Sequence, residues 1–171
     1  MSTFRHDKAE WHLDDAVSAY CKQKGIPEAV LTEEDYDKIS DFTCTHLGFI
    51  WMWTVRHGFE GEMHHEPELL SAVEQLRMEK ITGNEYMFFG CDSQLTCYDF
   101  ADEIIDFINA YYDDYLLEYQ QWVEKNAPGS LYCLPCTWEL YYKIEPMIDQ
   151  AYDKFKTGKL KKSFWSRIFS H

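Results

Sequence analysis

Between Phe42 and Val55 the chain reads FTCTHLGFIWMWTV, and this stretch restricts the fold more than any other. Phe42, Leu47, Phe49, Ile50, Trp51, Met52, Trp53 and Val55 cannot share one stripe of a helix, so a helix here must be covered from several sides. Ser40 or Asp41 can cap its start, Arg56 and His57 place positive charge in its last turn, and Gly58 can end it in a left-handed conformation. The expectation is a central helix at about 41–57 with the rest of the fold wrapped around it.

The remaining periodicities are helical too. Leu13, Ala16, Val17 and Tyr20 mark one face of a first helix at about 10–24, closed by Gly25 and Pro27. Thr32 and Asp35 form a cap pair for a short separate helix, and Pro67 suits the first turn of another that buries Leu69, Leu70, Val73 and Leu76. Thr82 with Glu85 and Thr96 with Asp99 read as two further capping boxes, the second introducing the longest helix at about 97–125. A loop at 126–130 leads to a last helix capped by Thr137, which Pro146 should kink or divide. No alternating run bounded by turn residues predicts a strand. The fold class expected is all-α, a compact single-domain bundle of about six helices over residues 1–158, followed by a basic aromatic tail at 159–171.

Charge is divided unevenly. The chain has 30 Asp and Glu against 16 Lys and Arg, net −14, yet Lys154, Lys156, Lys159, Lys161, Lys162 and Arg167 share the last 21 positions with one acid, Asp153. An acidic body repels nucleic acid phosphates and anionic lipid, and draws basic proteins. No apolar run approaches the ~18 residues that span a bilayer, and MSTFRHDKAEWH lacks the apolar core of a signal peptide, so a cytoplasmic protein with neither nucleic-acid binding nor stable membrane insertion is expected. In the tail, Phe164, Trp165, Ile168 and Phe169 would share one face of a short helix over 160–169. Docking on the acidic body is the favoured reading, with an anionic membrane surface or a partner as alternatives.

On the long helix, Asp99, Asp102, Glu103, Asp106, Asp113, Asp114 and Glu118 fall within an arc of about 160° at 100° per residue. Such a stripe is either a solvated face or a docking surface for Arg and Lys. A solvated face is the commoner case, and the absence of any Lys from that arc adds weight to the docking surface, because a merely soluble helix mixes signs at i,i+4. These seven are the candidate partner-binding residues.

Catalytic signatures are missing: no Walker loop, GxSxG, GxGxxG or HExxH occurs. His57, His64 and His65 with nearby acids offer a metal-dependent or hydrolytic alternative, but adjacent histidines point apart and no ligand spacing converges. His46, inside the apolar helix, reads as a hydrogen-bonded core histidine. Cys133-Leu134-Pro135-Cys136 is a lone CxxC, and all six cysteines read as packed free thiols. No catalytic residue, metal or cofactor is assigned.

The segments DKAEWH, THLGFIWMWTVRHGFEGE, ITGNEYMFFGCDSQLTCYDF, AYYDDYLLEY and TWELYYKIEPMIDQAYDKFK, spanning residues 6–156, resemble an uncharacterised family of small bacterial cytoplasmic proteins. Its members resemble immunity proteins encoded beside polymorphic toxins. The resemblance implies a non-enzymatic antitoxin that neutralises a cognate basic toxin, such as a nuclease; a non-catalytic adaptor is the other binding role. It carries no catalytic residue, so Trp11, His46, Gly48, Trp53, Gly83, Asp92, Tyr112, Tyr119 and Trp138 are expected to be packing or turn positions. Residues 13–40 read as a helix-forming insertion relative to that family.

Overall fold

A computed structural model describes residues 7–127 and 129–160. Six α-helices follow in order: α1 Leu13–Lys24, α2 Glu33–Arg56, α3 Pro67–Arg77, α4 Gly83–Gly90, α5 Asp102–Asn126 and α6 Trp138–Lys156. The all-α expectation holds, with one small addition. Asp7–Lys8 (β1) pairs antiparallel with Gln94–Leu95 (β2), Asp7 opposite Leu95. At two residues each, these strands are too short for any alternating pattern to announce them.

Every residue of α2 from Thr43 to Val55 is buried, and Trp51, Trp53, Phe49 and Leu47 are fully enclosed. The separate short helix expected after Thr32 does not exist, because the Thr32–Asp35 capping box starts α2 itself. Ser40 and Asp41 therefore lie in its interior. The carbonyl of Ser40 accepts from Thr43 Oγ1 at 2.7 Å, and that of Asp41 from Asn84 Nδ2 at 2.7 Å. In the dry half Thr45 Oγ1 donates to the Leu134 carbonyl and Tyr115 hydroxyl to that of His46, whereas His46 Nδ1 and Trp51 Nε1 are buried without a hydrogen-bond partner.

α4 approaches α2 through glycine. A Cβ on Gly48 would strike the Asn84 side chain at Oδ1, and one on Gly83 would strike the Gly48 carbonyl, so a side chain at Gly83 demands backbone movement and one at Gly48 displaces Asn84. α1 packs Ala16, Val17 and Tyr20 on Ile39 of α2, forming a satellite cluster beside the main core. α6 runs unbroken through Pro146; that proline is exposed, so the carbonyl it leaves unbonded is on the wet side of the helix.

The start of α5 also differs from expectation. The Thr96–Asp99 box caps only a single turn, Cys97–Asp99, after which Phe100 and Ala101 are extended and α5 begins at Asp102. That extended pair meets Glu60 in an isolated bridge, with Ala101 N bonded to the Phe59 carbonyl at 2.8 Å. Among the positions read as packing or turn, Trp53, Tyr112 and Tyr119 are buried, and Asp92 takes a left-handed turn with φ 49°. Trp11 is instead 58% exposed. The tail helix expected at 160–169 lies, beyond Leu160, outside the described residues.

Candidate functional site

The acidic arc of α5 divides in two. Asp102, Glu103, Asp106, Asp113 and Glu118 are exposed, while Asp99 (3%) and Asp114 (7%) are buried and offer no docking surface. Asp99 precedes the helix, so the 100° step never applied to it; its Oδ2 accepts from Thr96 N at 2.6 Å and Thr96 Oγ1 at 2.8 Å. Asp114 lies on the edge that α6 covers. The signal was present in Phe107, which projects at about 140° from Asp102, between Asp114 and Glu118, and packs on Trp53, Tyr152 and Phe155. Glu118 accepts from Tyr111 hydroxyl at 2.7 Å and shares a pocket with Lys154 and Lys159. The unobstructed stripe is therefore Asp102, Glu103, Asp106 and Asp113, and no basic residue occurs on α5 before Lys125.

Asp102 also lines a cleft of about 490 Å³ with Glu60, Glu62, His65 and Tyr98. Met63 and Tyr98 separate it from a second cleft of about 350 Å³, lined by Phe89, Cys91, Asp92 and Asp99. Tyr98 is 75% exposed and Phe89 59%, so two large rings stand in solvent beside a carboxylate stripe.

Two buried polar clusters flank the β1–β2 ribbon. In the first, Asp7 of β1 accepts from His12 Nε2 at 2.9 Å, His46 Nε2 at 3.3 Å and Tyr112 hydroxyl at 2.7 Å, while His12 Nδ1 meets Tyr132 hydroxyl at 2.8 Å. Burial pushes the Asp7 carboxyl up, but hydrogen bonds from both imidazoles outweigh it and hold the group far below the usual carboxylate range. Burial keeps His46 below the ordinary histidine value, against the pull of Asp7. The core reading of His46 fits this geometry. Its partner Asp7, 39 positions away, was not legible.

The second cluster joins His64, Cys91 and Asp99. His64 Nε2 is 3.1 Å from Asp99 Oδ1 and His64 Nδ1 is 2.7 Å from Tyr86 hydroxyl; Cys91 Sγ lies within 4.8 Å of the donor atoms of both His64 and Asp99. The three histidines weighed as a metal group do not converge. His57 Nδ1 donates to the Trp53 carbonyl at 2.9 Å, His65 Nε2 donates to Glu60 Oε1 at 3.0 Å, and His64 is buried between Tyr86 and Asp99. Cys133 and Cys136 are buried free thiols; burial pushes Cys136 up to about 12, and Cys44 up to about 11. That is the opposite of the depressed pKa a redox or nucleophilic cysteine needs.

Among the described residues no helix is long and apolar enough to cross a membrane. A domain of unknown function (DUF7832) matches residues 5–132, most of the chain, and the chain belongs to that family. The match takes in both polar clusters and residues 13–40, and it ends before α6. No curated protein and no solved structure matches the chain.

Proposed function

We propose that this member of the DUF7832 family is a non-enzymatic binding protein of the immunity type, which captures and neutralises a basic toxin, such as a nuclease, inside the bacterial cell. The observation that carries the reading is the exposed stripe Asp102, Glu103, Asp106 and Asp113 on a helix with no base before Lys125, opening at Asp102 onto a cleft edged by Tyr98 and Met63. Carboxylates so placed steer a basic partner by long-range attraction and accept bidentate Arg contacts on arrival. Exposed rings beside them supply the apolar anchors on which affinity rests at protein interfaces. The acidic balance of the whole chain acts in the same direction.

The test is co-purification with the product of the neighbouring upstream gene, together with rescue of cells that express that product. Reversing Asp102, Asp106 and Asp113 to Lys should weaken binding chiefly by slowing association, and wild-type association should fall steeply with added salt. A neighbour that neither binds nor harms cells, or association indifferent to both salt and charge reversal, sinks the reading.

A further inference from the structure

We propose that His64, Cys91 and Asp99 form a binding site for a borderline-soft divalent cation of the zinc class. The three donor atoms lie within 4.8 Å of one another, and all three residues are buried. One imidazole, one thiol and one carboxylate make a mixed donor set suited to such an ion rather than to calcium or magnesium, which prefer oxygen alone. Three protein ligands leave the fourth tetrahedral position to water or a guest side chain, and Cys91 and Asp99 both line the 350 Å³ cleft through which either would arrive.

What separates this cluster from an ordinary polar network is the state of the atoms that do not face the centre. His64 turns Nε2 inward, and its other nitrogen is held by Tyr86 hydroxyl at 2.7 Å. Asp99 turns Oδ1 inward, and its Oδ2 is held twice by Thr96. Metal ligands are oriented by such outer bonds. The 3.1 Å contact between His64 Nε2 and Asp99 Oδ1 is a hydrogen bond that a cation would replace, the two atoms parting by only a few tenths of an ångström to reach a tetrahedral edge of about 3.3–3.6 Å.

The backbone fixes the three segments before any ion arrives. Gly61 N bonds the Asp99 carbonyl at 2.8 Å, tying the His64 turn to the Asp99 turn, and a Cβ on Gly61 would strike the Tyr98 carbonyl. Cys91 N and Ser93 N bond the Met87 carbonyl, and left-handed Asp92 and Ser93 then turn the chain into β2 and on to Asp99. The Asp7–His12–His46 cluster makes the contrast. There His46 Nδ1 is buried with no hydrogen-bond partner, the reverse of an oriented ligand.

The experiment uses full-length protein prepared without an affinity tag, stripped with a chelator and titrated with Zn²⁺ and with Co²⁺. Uptake of about one equivalent at micromolar affinity or tighter is expected, with a thiolate-to-cobalt charge-transfer band in the near ultraviolet. Cys91→Ser should abolish the band and Cys97→Ser should keep it, with far-ultraviolet circular dichroism reporting the fold of each. Should Cys91→Ser not fold, alkylation of the wild type, mapped by mass spectrometry, decides: zinc should shield Cys91 selectively. Uptake well below one equivalent, a cobalt spectrum without the thiolate band, a band surviving Cys91→Ser, or alkylation of Cys91 unaltered by zinc each overturns the proposal. The probe is the metal alone, so this outcome is independent of whether a toxin binds.

Discussion

α2 and α5 are the two longest helices, and they treat polar groups in opposite ways. From Thr43 to Val55, α2 shows nothing to water and satisfies each buried hydroxyl or freed carbonyl from a neighbouring element or its own turn. α5 buries Ile104, Phe107, Ile108 and a run of tyrosines, and leaves carboxylates in solvent on its opposite side. A helix covered on all sides takes its energetics from fit, so small changes of volume matter. A helix with one wet face can carry charge there at little cost to the fold, which makes that face available for binding. Asp7 is the point where the two meet, since it accepts from His46 of α2 and Tyr112 of α5.

The largest effect is therefore expected at that junction. Asp7→Ala leaves His12, His46 and Tyr112 without their acceptor and should cost about 3–5 kcal/mol, measured by urea unfolding. A loss below about 1 kcal/mol would mean that the Asp7 network adds little to what joins the two helices.

Next is the fit of α2 itself. Gly48→Ala drives a methyl into Asn84 of α4 and should cost about 1–3 kcal/mol, whereas Ala110→Gly on α5 should cost the helix-propensity difference of about 1 kcal/mol. Equal losses would erase the contrast between the two helices.

The pH dependence sharpens the same junction. His46 is held below its ordinary value when folded, so as pH drops through about 6.5 the unfolded chain takes up a proton that the folded chain refuses, and stability falls by up to about 1.4 kcal/mol per pH unit. Asp7, far below its ordinary value when folded, adds a second loss once pH falls below about 3.9. Urea midpoints measured from pH 7 downward should show the first limb, and His46→Gln should flatten it whatever that variant does to stability at pH 7. The smallest stability effect belongs to the wet face: Asp102, Asp106 and Asp113 reversed to Lys should each change stability by about 0.5 kcal/mol or less. A collapse of helicity would mean that the stripe is structural.

Local sequence carried α1 with its inner face, the three Thr capping boxes and the enclosure of α2, because each of these depends on neighbours a few positions apart. Where expectation and structure part, a rule was extended past its reach. Helical periodicity does not reach Asp99, which precedes α5, and Ser40 and Asp41 resemble caps although a polar residue inside a helix needs only a partner such as Asn84. Phe107 was the available warning that the arc ended before Asp114.

By itself the sequence determined the helical class, the need to wrap one helix on every side and the acidic balance, since periodicity and composition act along the chain. Only the tertiary structure decided which carboxylates reach water and which histidines meet acids. Asp7 with His46 and Tyr112, and His64 with Cys91 and Asp99, are pairings of residues 27 to 105 positions apart that no local pattern encodes. They come together because the β1–β2 ribbon and the Glu60–Phe100 bridge fasten distant turns to one core.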